Sequence, residues 1–316
     1  VQNANTLAGA GTVTVQLPFQ RPFFPDNLFG HLVATGVPGV EEWHNGGYRR
    51  TLRLPGGPAI VELRPLPDRI EARLTLPDPG DPEDLAAALA HCRFLLDLDA
   101  DPLAIDGRLS ADPLLAPLVA AAPGRRVPRT VDGPEMAVRA VLGQQVSTAA
   151  ARTHAGRLVR SHGEPITDPD GGLTHLFPTA QALLELDPET LALPRSRRAT
   201  LLTLIRALTD GSLDLGPGAD PEPARAALLA LPGFGPWTVE TIMMRALGDS
   251  DAFLPSDLGV RVLAGHLGLP TTPKALTRHA ESWRPWRAYA VQYLWAAGEH
   301  AINRMPGDPA VAVPPT

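Results

Sequence analysis

The chain has 316 residues, 44% hydrophobic and 20% charged, and a formal net charge of −6 at pH 7. No apolar run approaches membrane-spanning length and no signal-peptide pattern opens it, so a cytoplasmic chain of two or more packed domains is expected. The single cysteine, Cys92, excludes an internal disulfide framework and any thiolate-held iron-sulfur cluster. The charge is unevenly placed. Residues 1–122 carry 9 basic and 15 acidic side chains, and the remainder carry 19 of each. Arginines cluster at Arg125, Arg126 and Arg129, at Arg152, Arg157 and Arg160, and at Arg195, Arg197 and Arg198, as phosphate contacts or as solvated helix faces.

Residues 1–11 are small and polar and begin with Val1, so either a disordered lead or a start inside a longer chain is expected. Residues 12–17 alternate as a strand, and 26–35 read as a helix before Gly36 and Pro38. Residues 49–54 and 58–64 are strands joined by Pro55, Gly56 and Gly57. In 70–76, Ile70, Ala72, Leu74 and Leu76 face one side and Glu71, Arg73 and Thr75 the other, which predicts an antiparallel sheet with one wet face. Asp81-Pro82-Glu83 starts a helix to about residue 97 that covers the dry face, with Cys92 as a buried structural thiol on its apolar stripe. Between about 111 and 129 the composition turns to Ala, Pro, Gly and Arg, and no strand pattern returns. Helices are predicted at 133–143, 147–161, 178–186, 195–210, 221–231, 236–247, 257–267, 273–282 and 286–303. The fold class is α+β: an antiparallel sheet domain with covering helices over 12–122, an all-helical domain over 123–305, and a loose proline-rich tail over 306–316.

Two stretches stand out. Leu231-Pro-Gly-Phe-Gly-Pro-Trp-Thr238 is a tight reversal between helices, in which Gly233 and Gly235 permit positive φ and close backbone approach and Pro236 opens the next helix. Its free first-turn N–H groups suit a phosphate, although a plain helical turn would look the same. About twenty residues on, Phe253-Leu-Pro-Ser-Asp257 ends on an acid that would cap a helix through Val260 and Leu263, where a carboxylate is favoured. The nine histidines show no metal-ligand spacing, so no catalytic metal is expected.

At this spacing the two stretches resemble the 3-methyladenine DNA glycosylase II (AlkA) family of helix-hairpin-helix DNA glycosylases. Ala137-Val-Arg-Ala-Val-Leu-Gly-Gln-Gln-Val-Ser147 resembles that family's damage-probing helix and loop, and Arg284-Pro-Trp-Arg-Ala-Tyr289 with Leu294-Trp295 its closing helix. The likeness runs over about residues 12–305. It implies an AlkA N-terminal-like domain in front and a helix-hairpin-helix glycosylase domain behind, with double-stranded DNA bearing alkylated bases as the partner. A monomer in the bacterial nucleoid is implied, starting base-excision repair without a cofactor, although hairpin carbonyls of the superfamily sometimes hold a monovalent cation.

Residue by residue, the resemblance gives Asp257 the catalytic role. It gives Trp237, Trp295, His31, Thr241 and Leu258 the base pocket, with the last three standing where the family has aromatic rings. Gln145 takes the place of an intercalating leucine, and Gly233, Phe234, Gly235, Trp237 and Thr238 grip the DNA backbone. No second carboxylate is marked out as a leaving-group acid, which fits a purine alkylated on N3 or N7: already cationic, it departs as a neutral base. Two other readings stand beside this one. The chain could be a catalytically silent DNA-binding module or a domain of a larger repair regulator. A lyase would place a lysine in the hairpin, where this chain has Trp237.

Overall fold

The protein is described here from a computed structural model covering residues 11–298 and 300–307. The lead expected over 1–11 and the tail expected over 306–316 lie outside the described residues except for Gly11, which belongs to the first strand, and Pro306 and Gly307.

Five antiparallel strands, β1 (Gly11–Leu17), β2 (Glu41–His44), β3 (Gly47–Leu54), β4 (Gly57–Pro65) and β5 (Ile70–Leu76), form one sheet in the order β1-β5-β4-β3-β2. Val13 lies opposite Leu74 and Val61 opposite the same residue from the other side, so alternate positions of β5 meet apolar partners across both ladders. Ile70, Ala72, Leu74 and Leu76 are all buried, as their alternation predicts. The short β2 was not foreseen. Its four residues are too few to show a period, and it forms because Glu41–His44 pairs back on Arg50–Gly47 around a two-residue turn.

The helices are α1 (Asp26–Thr35), α2 (Pro82–Leu95), α3 (Pro102–Leu109), α4 (Ala116–Ala121), α5 (Gly133–Leu142), α6 (Thr148–His162), α7 (Arg195–Thr209), α8 (Pro221–Ala230), α9 (Pro236–Ala246), α10 (Leu258–His266), α11 (Pro273–His279) and α12 (Arg287–Ala296). Asp81 caps α2 by accepting from the Glu83 N–H, and the helix lays Ala88, Cys92 and Leu95 on the dry face of the sheet. Burial pushes the Cys92 thiol up to about 12, the behaviour of a structural cysteine. The stretch 178–186 forms only a short 3-10 turn, Ala182–Glu185, and the last long helix stops at Ala296 instead of 303. The second part is also not wholly helical, because β6 (Glu164–Pro165) pairs with β7 (His175–Leu176) across the polar loop. Among the described residues no helix is long and apolar enough to cross a membrane.

Two cores organise the chain. The sheet core gathers Leu17, Leu52, Val61, Leu74, Cys92 and Leu98. The helical core gathers α5 to α12 and also takes Ile105, Leu109, Leu115 and Val119 from α3 and α4, together with Val37 and Val40. The Ala- and Pro-rich stretch read as a boundary therefore contributes a short helix, α4, that packs on the helical core with α3 before it.

A buried ion cluster joins the two cores. Arg50 of β3 donates to Glu135 of α5 at 2.8 Å, and Arg139, one turn later, bridges Glu135 at 2.8 Å and Glu41 of β2 at 3.0 Å. The Arg50, Glu41 and Glu135 side chains are only 2%, 1% and 3% exposed. Removing one member would strand the opposite charge out of water, at a cost of about 3–5 kcal/mol, whereas an exposed pair contributes about 0–1 kcal/mol. Glu135→Ala should accordingly lower the urea unfolding free energy by several kcal/mol, and Arg69→Ala, which breaks the exposed Arg69–Asp68 pair, should leave it nearly unchanged. Equal effects of the two substitutions would refute this ranking.

Candidate active site

The hairpin between α8 and α9 is clamped from outside. Arg225 of α8 donates to Glu240 of α9 at 3.0 Å and also meets Asp249. Gly233 sits at φ +87°, and a Cβ there would lie 2.1 Å from Thr200 Oγ1, so both conformation and space demand glycine. Gly235 differs from expectation: at φ −89° and ψ 166° it is ordinary extended backbone, and a Cβ would meet nothing within 4 Å. The Phe234 ring is buried in the helical core, which leaves its backbone alone to meet a ligand. Gly235 gives α9 no side-chain cap and Pro236 has no N–H, so the helix begins on the Trp237 and Thr238 N–H groups without a capping side chain, and Thr238 itself is buried.

Asp257 lies one segment beyond. Phe253 and Leu254 are buried and anchor the strap, and the Asp257 N–H turns back to the Leu254 carbonyl at 3.1 Å. Its carboxylate caps α10, with Oδ1 accepting from the Val260 N–H at 2.9 Å. Two indoles complete its surroundings. Trp295 Nε1 donates to Oδ1 at 3.0 Å, and Trp237 Nε1 donates to Oδ2 at 2.9 Å. The tryptophans were expected as pocket walls, and Trp237 also in the backbone grip; their hold on the acid was not legible in the sequence. Gly259 makes room for this, since a Cβ there would fall 3.4 Å from the Trp295 ring.

These groups line one cavity of about 580 Å³, bounded by α1, α5, α6, α9, α10 and α12. Trp237, Thr241, Asp257, Trp295 and His31 all reach it. Leu258 does not, and that assignment is corrected: it is 72% exposed. As the first residue of a helix capped by its neighbour, Leu258 points to solvent, and α10 faces the cavity through Gly259 and Leu263 instead.

The cavity is more cationic than its sequence suggested. Among the described residues Asp257 is the one carboxylate in its lining, against Arg139, Arg152 and Arg245. Arg139 is neutralised by Glu41 and Glu135. Arg245 is 7% exposed and meets His31, through Nε2 and, at 3.4 Å, Nδ1, but no carboxylate among the described residues. Burial, and then the charge of Arg139, pulls its guanidinium down to about 9, which leaves it protonated at neutral pH. The one signal in the sequence was a charge inside the apolar run Ile242–Leu247. Among the described residues no group of three or more His, Cys, Asp or Glu side chains is placed to hold a metal ion.

On the rim, Gln145 stands exposed at the end of α5 with φ +55°, a left-handed conformation rare outside glycine. Its neighbour Gln144, which sequence reasoning passed over, donates through Nε2 to the Gly233 carbonyl at 3.1 Å and to Thr238 Oγ1 at 3.2 Å. The arginines at 125, 126 and 129 are inward-facing: Arg125 and Arg126 are buried, and Arg129 pairs with Asp97.

His31 does not titrate near neutrality as a solvated histidine would. Enclosure by protein, followed by Arg245 and Arg139, holds it well below its ordinary value of 6.5. The unfolded chain therefore binds a proton that the folded chain refuses, so this group withdraws stability as pH falls below about 6.5, by up to about 1.4 kcal/mol per pH unit. His31→Gln, which keeps an acceptor for Arg245, should flatten the loss of stability between pH 6.5 and 5 in urea titrations. A variant with an undiminished slope would place the titration elsewhere.

Residues 14–132 match the family model of the AlkA N-terminal domain. Over 305 residues the chain is 55% identical to a Mycobacterium tuberculosis protein named "probable bifunctional transcriptional activator/DNA repair enzyme AlkA", covering 96% of this chain and 61% of that one. It thus spans less than two thirds of that relative's length. It is 33% identical over 283 residues to DNA-3-methyladenine glycosylase 2 of Escherichia coli, covering 88% of this chain and 95% of that one. A solved 3-methyladenine DNA-glycosylase from Archaeoglobus fulgidus shares the fold with a TM-score of 0.73 at 21% identity, over 90% of this chain and 97% of that one. With the Escherichia coli relative matched over nearly its whole length and the N-terminal domain matched in place, the chain belongs to the DNA-3-methyladenine glycosylase 2 (AlkA) family.

Proposed function

We propose that the protein is a monofunctional DNA glycosylase that flips purines alkylated on N3 or N7 out of duplex DNA and hydrolyses the N-glycosidic bond with Asp257, starting base-excision repair. The observation that carries this reading is the Asp257 carboxylate, fixed by three N–H donors, on the wall of a cavity of about 580 Å³ large enough for a base.

The chemistry follows from that geometry. As the bond from sugar to base breaks, its electron pair neutralises the cationic purine, and positive charge appears on the deoxyribose. A fixed carboxylate stabilises that charge without reorganising. A carboxylate has about four acceptor positions, and three are taken. Among the described residues Oδ2 accepts only from Trp237, so the open position is on Oδ2, where the attacking water is oriented and passes its proton to the carboxylate as the new bond to the sugar forms. Held by its N–H edge, each indole offers the base its ring face, which contributes about 0.5–2 kcal/mol toward a cation.

Extrusion costs a few kcal/mol, least for a damaged pair. Gln145, exposed on the rim, fills the vacated stack, and the Trp237 and Thr238 N–H groups receive a phosphate without reading sequence. A monovalent cation at the hairpin would share the Gly233 carbonyl with Gln144. The silent-module reading leaves the arrangement around Asp257 without a purpose, and Trp237 in the hairpin speaks against a lyase.

Asp257→Asn should cut release of methylated purines by roughly 10²–10³-fold. The amide oxygen keeps the helix cap and Trp295, but the NH₂ faces the Trp237 N–H, donor to donor. Affinity for abasic duplex should fall only a few-fold, and a variant retaining a tenth of wild-type turnover would remove Asp257 from the mechanism. Borohydride should trap no covalent protein-DNA species, because Lys274, the sole lysine, lies on α11. Recovery of a trapped adduct would make the enzyme a lyase.

A further inference from the structure

The buried cation of the cavity has no part in the mechanism above. Arg245 is donor-only, with five N–H groups, and its neighbours satisfy few of them: it meets His31 and no carboxylate among the described residues. Arginine can only donate, so the closer nitrogen, His31 Nε2, is the acceptor and the imidazole is neutral. Arg139, the other enclosed cation on the same wall, is matched by two carboxylates. Asn27, one turn before His31 on α1, has an Oδ1 without a partner, but that atom is enclosed, and its Nδ2 is committed to the Arg126 carbonyl at 2.8 Å. Among the described residues Arg245 is therefore the enclosed cation that this wall turns to the cavity without a carboxylate partner.

A buried charge of this kind is stabilised by an acceptor and repelled by a donor. We propose that Arg245, held by His31, donates to a carbonyl oxygen on the extruded base and so makes the pocket discriminate oxo-bases from amino-bases. This rests on the cavity being the base pocket of the preceding section. An alkylpurine with oxygen at C6 gives Arg245 the acceptor it lacks, and the hydrogen bond offsets part of the repulsion between two cations. One with an amino group at C6 meets the guanidinium donor to donor.

Methylated duplex DNA contains both cases, 7-methylguanine with a carbonyl at C6 and 3-methyladenine with an amino group there. The two released bases are separated chromatographically from one reaction, and their initial rates are divided by their content in the DNA. Arg245→Met should lower the ratio of 7-methylguanine to 3-methyladenine release by about ten- to hundredfold relative to wild type, the worth of a charge-assisted hydrogen bond. Arg245→Lys, which keeps a charged donor, should retain most of the ratio. The ratio comes from a single protein sample, so loss of folded protein cancels from it. An unchanged ratio in Arg245→Met, whatever the absolute rates, overturns the proposal while leaving the glycosylase reading intact. Failure of the wild type to release either base overturns that reading and this proposal with it.

Discussion

The carboxylate of Asp257 is where three helices are made to agree. Its own backbone begins α10, Trp237 reaches it from the first turn of α9, and Trp295 reaches it from the last turn of α12. Each N–H would lose a charge-assisted hydrogen bond if its helix moved, an interaction of about 1.5–3 kcal/mol. The acid is consequently held by the fold and not by its own rotamer preference. The hairpin upstream and the buried Phe253-Leu254 strap serve the same end, fixing where α9 stops and α10 starts.

The second constraint is the ion cluster of Glu41, Arg50, Glu135 and Arg139. It fastens the edge of the sheet to α5, and with it α1, which brings His31 to the cavity. Gly30 shows how closely α1 is seated: a Cβ there would lie 2.4 Å from the Arg304 carbonyl and 2.5 Å from that of Ile302. The front domain is thereby a wall of the site, although its acidic composition suggested a separate body.

Much of the architecture was legible because it rests on local signals. Helix α1 and strand β5 were read to the residue, and the caps at Asp81 and Asp132 mark their helices as side-chain acceptors should. What escaped were features set by distant parts of the chain. Strand β2 exists only through its partner, the short α4 hides in an Ala- and Pro-rich stretch, and Leu258 was displaced because position in a motif does not give direction from a helix. The tryptophans were placed in the right cavity, but that their N–H groups hold the acid depends on three helices meeting. His31 was placed in the pocket, but only the folded chain sets two arginines around it.

Gln144 ties the α5–α6 loop to the hairpin through the Gly233 carbonyl and Thr238 Oγ1. The left-handed apex at Gln145 and the uncapped first turn of α9 are therefore tines of one fork, with a gauge set inside the protein. A duplex seated on both must match that gauge. Smooth bending of twenty to thirty base pairs through 40–90° costs on the order of 1–6 kcal/mol, whereas the hairpin is clamped by Arg225 and packed on its core through Phe234. On the proposed substrate it is the DNA that yields, so the fork would work as a strain gauge, closing most readily where a lesion has already softened the helix.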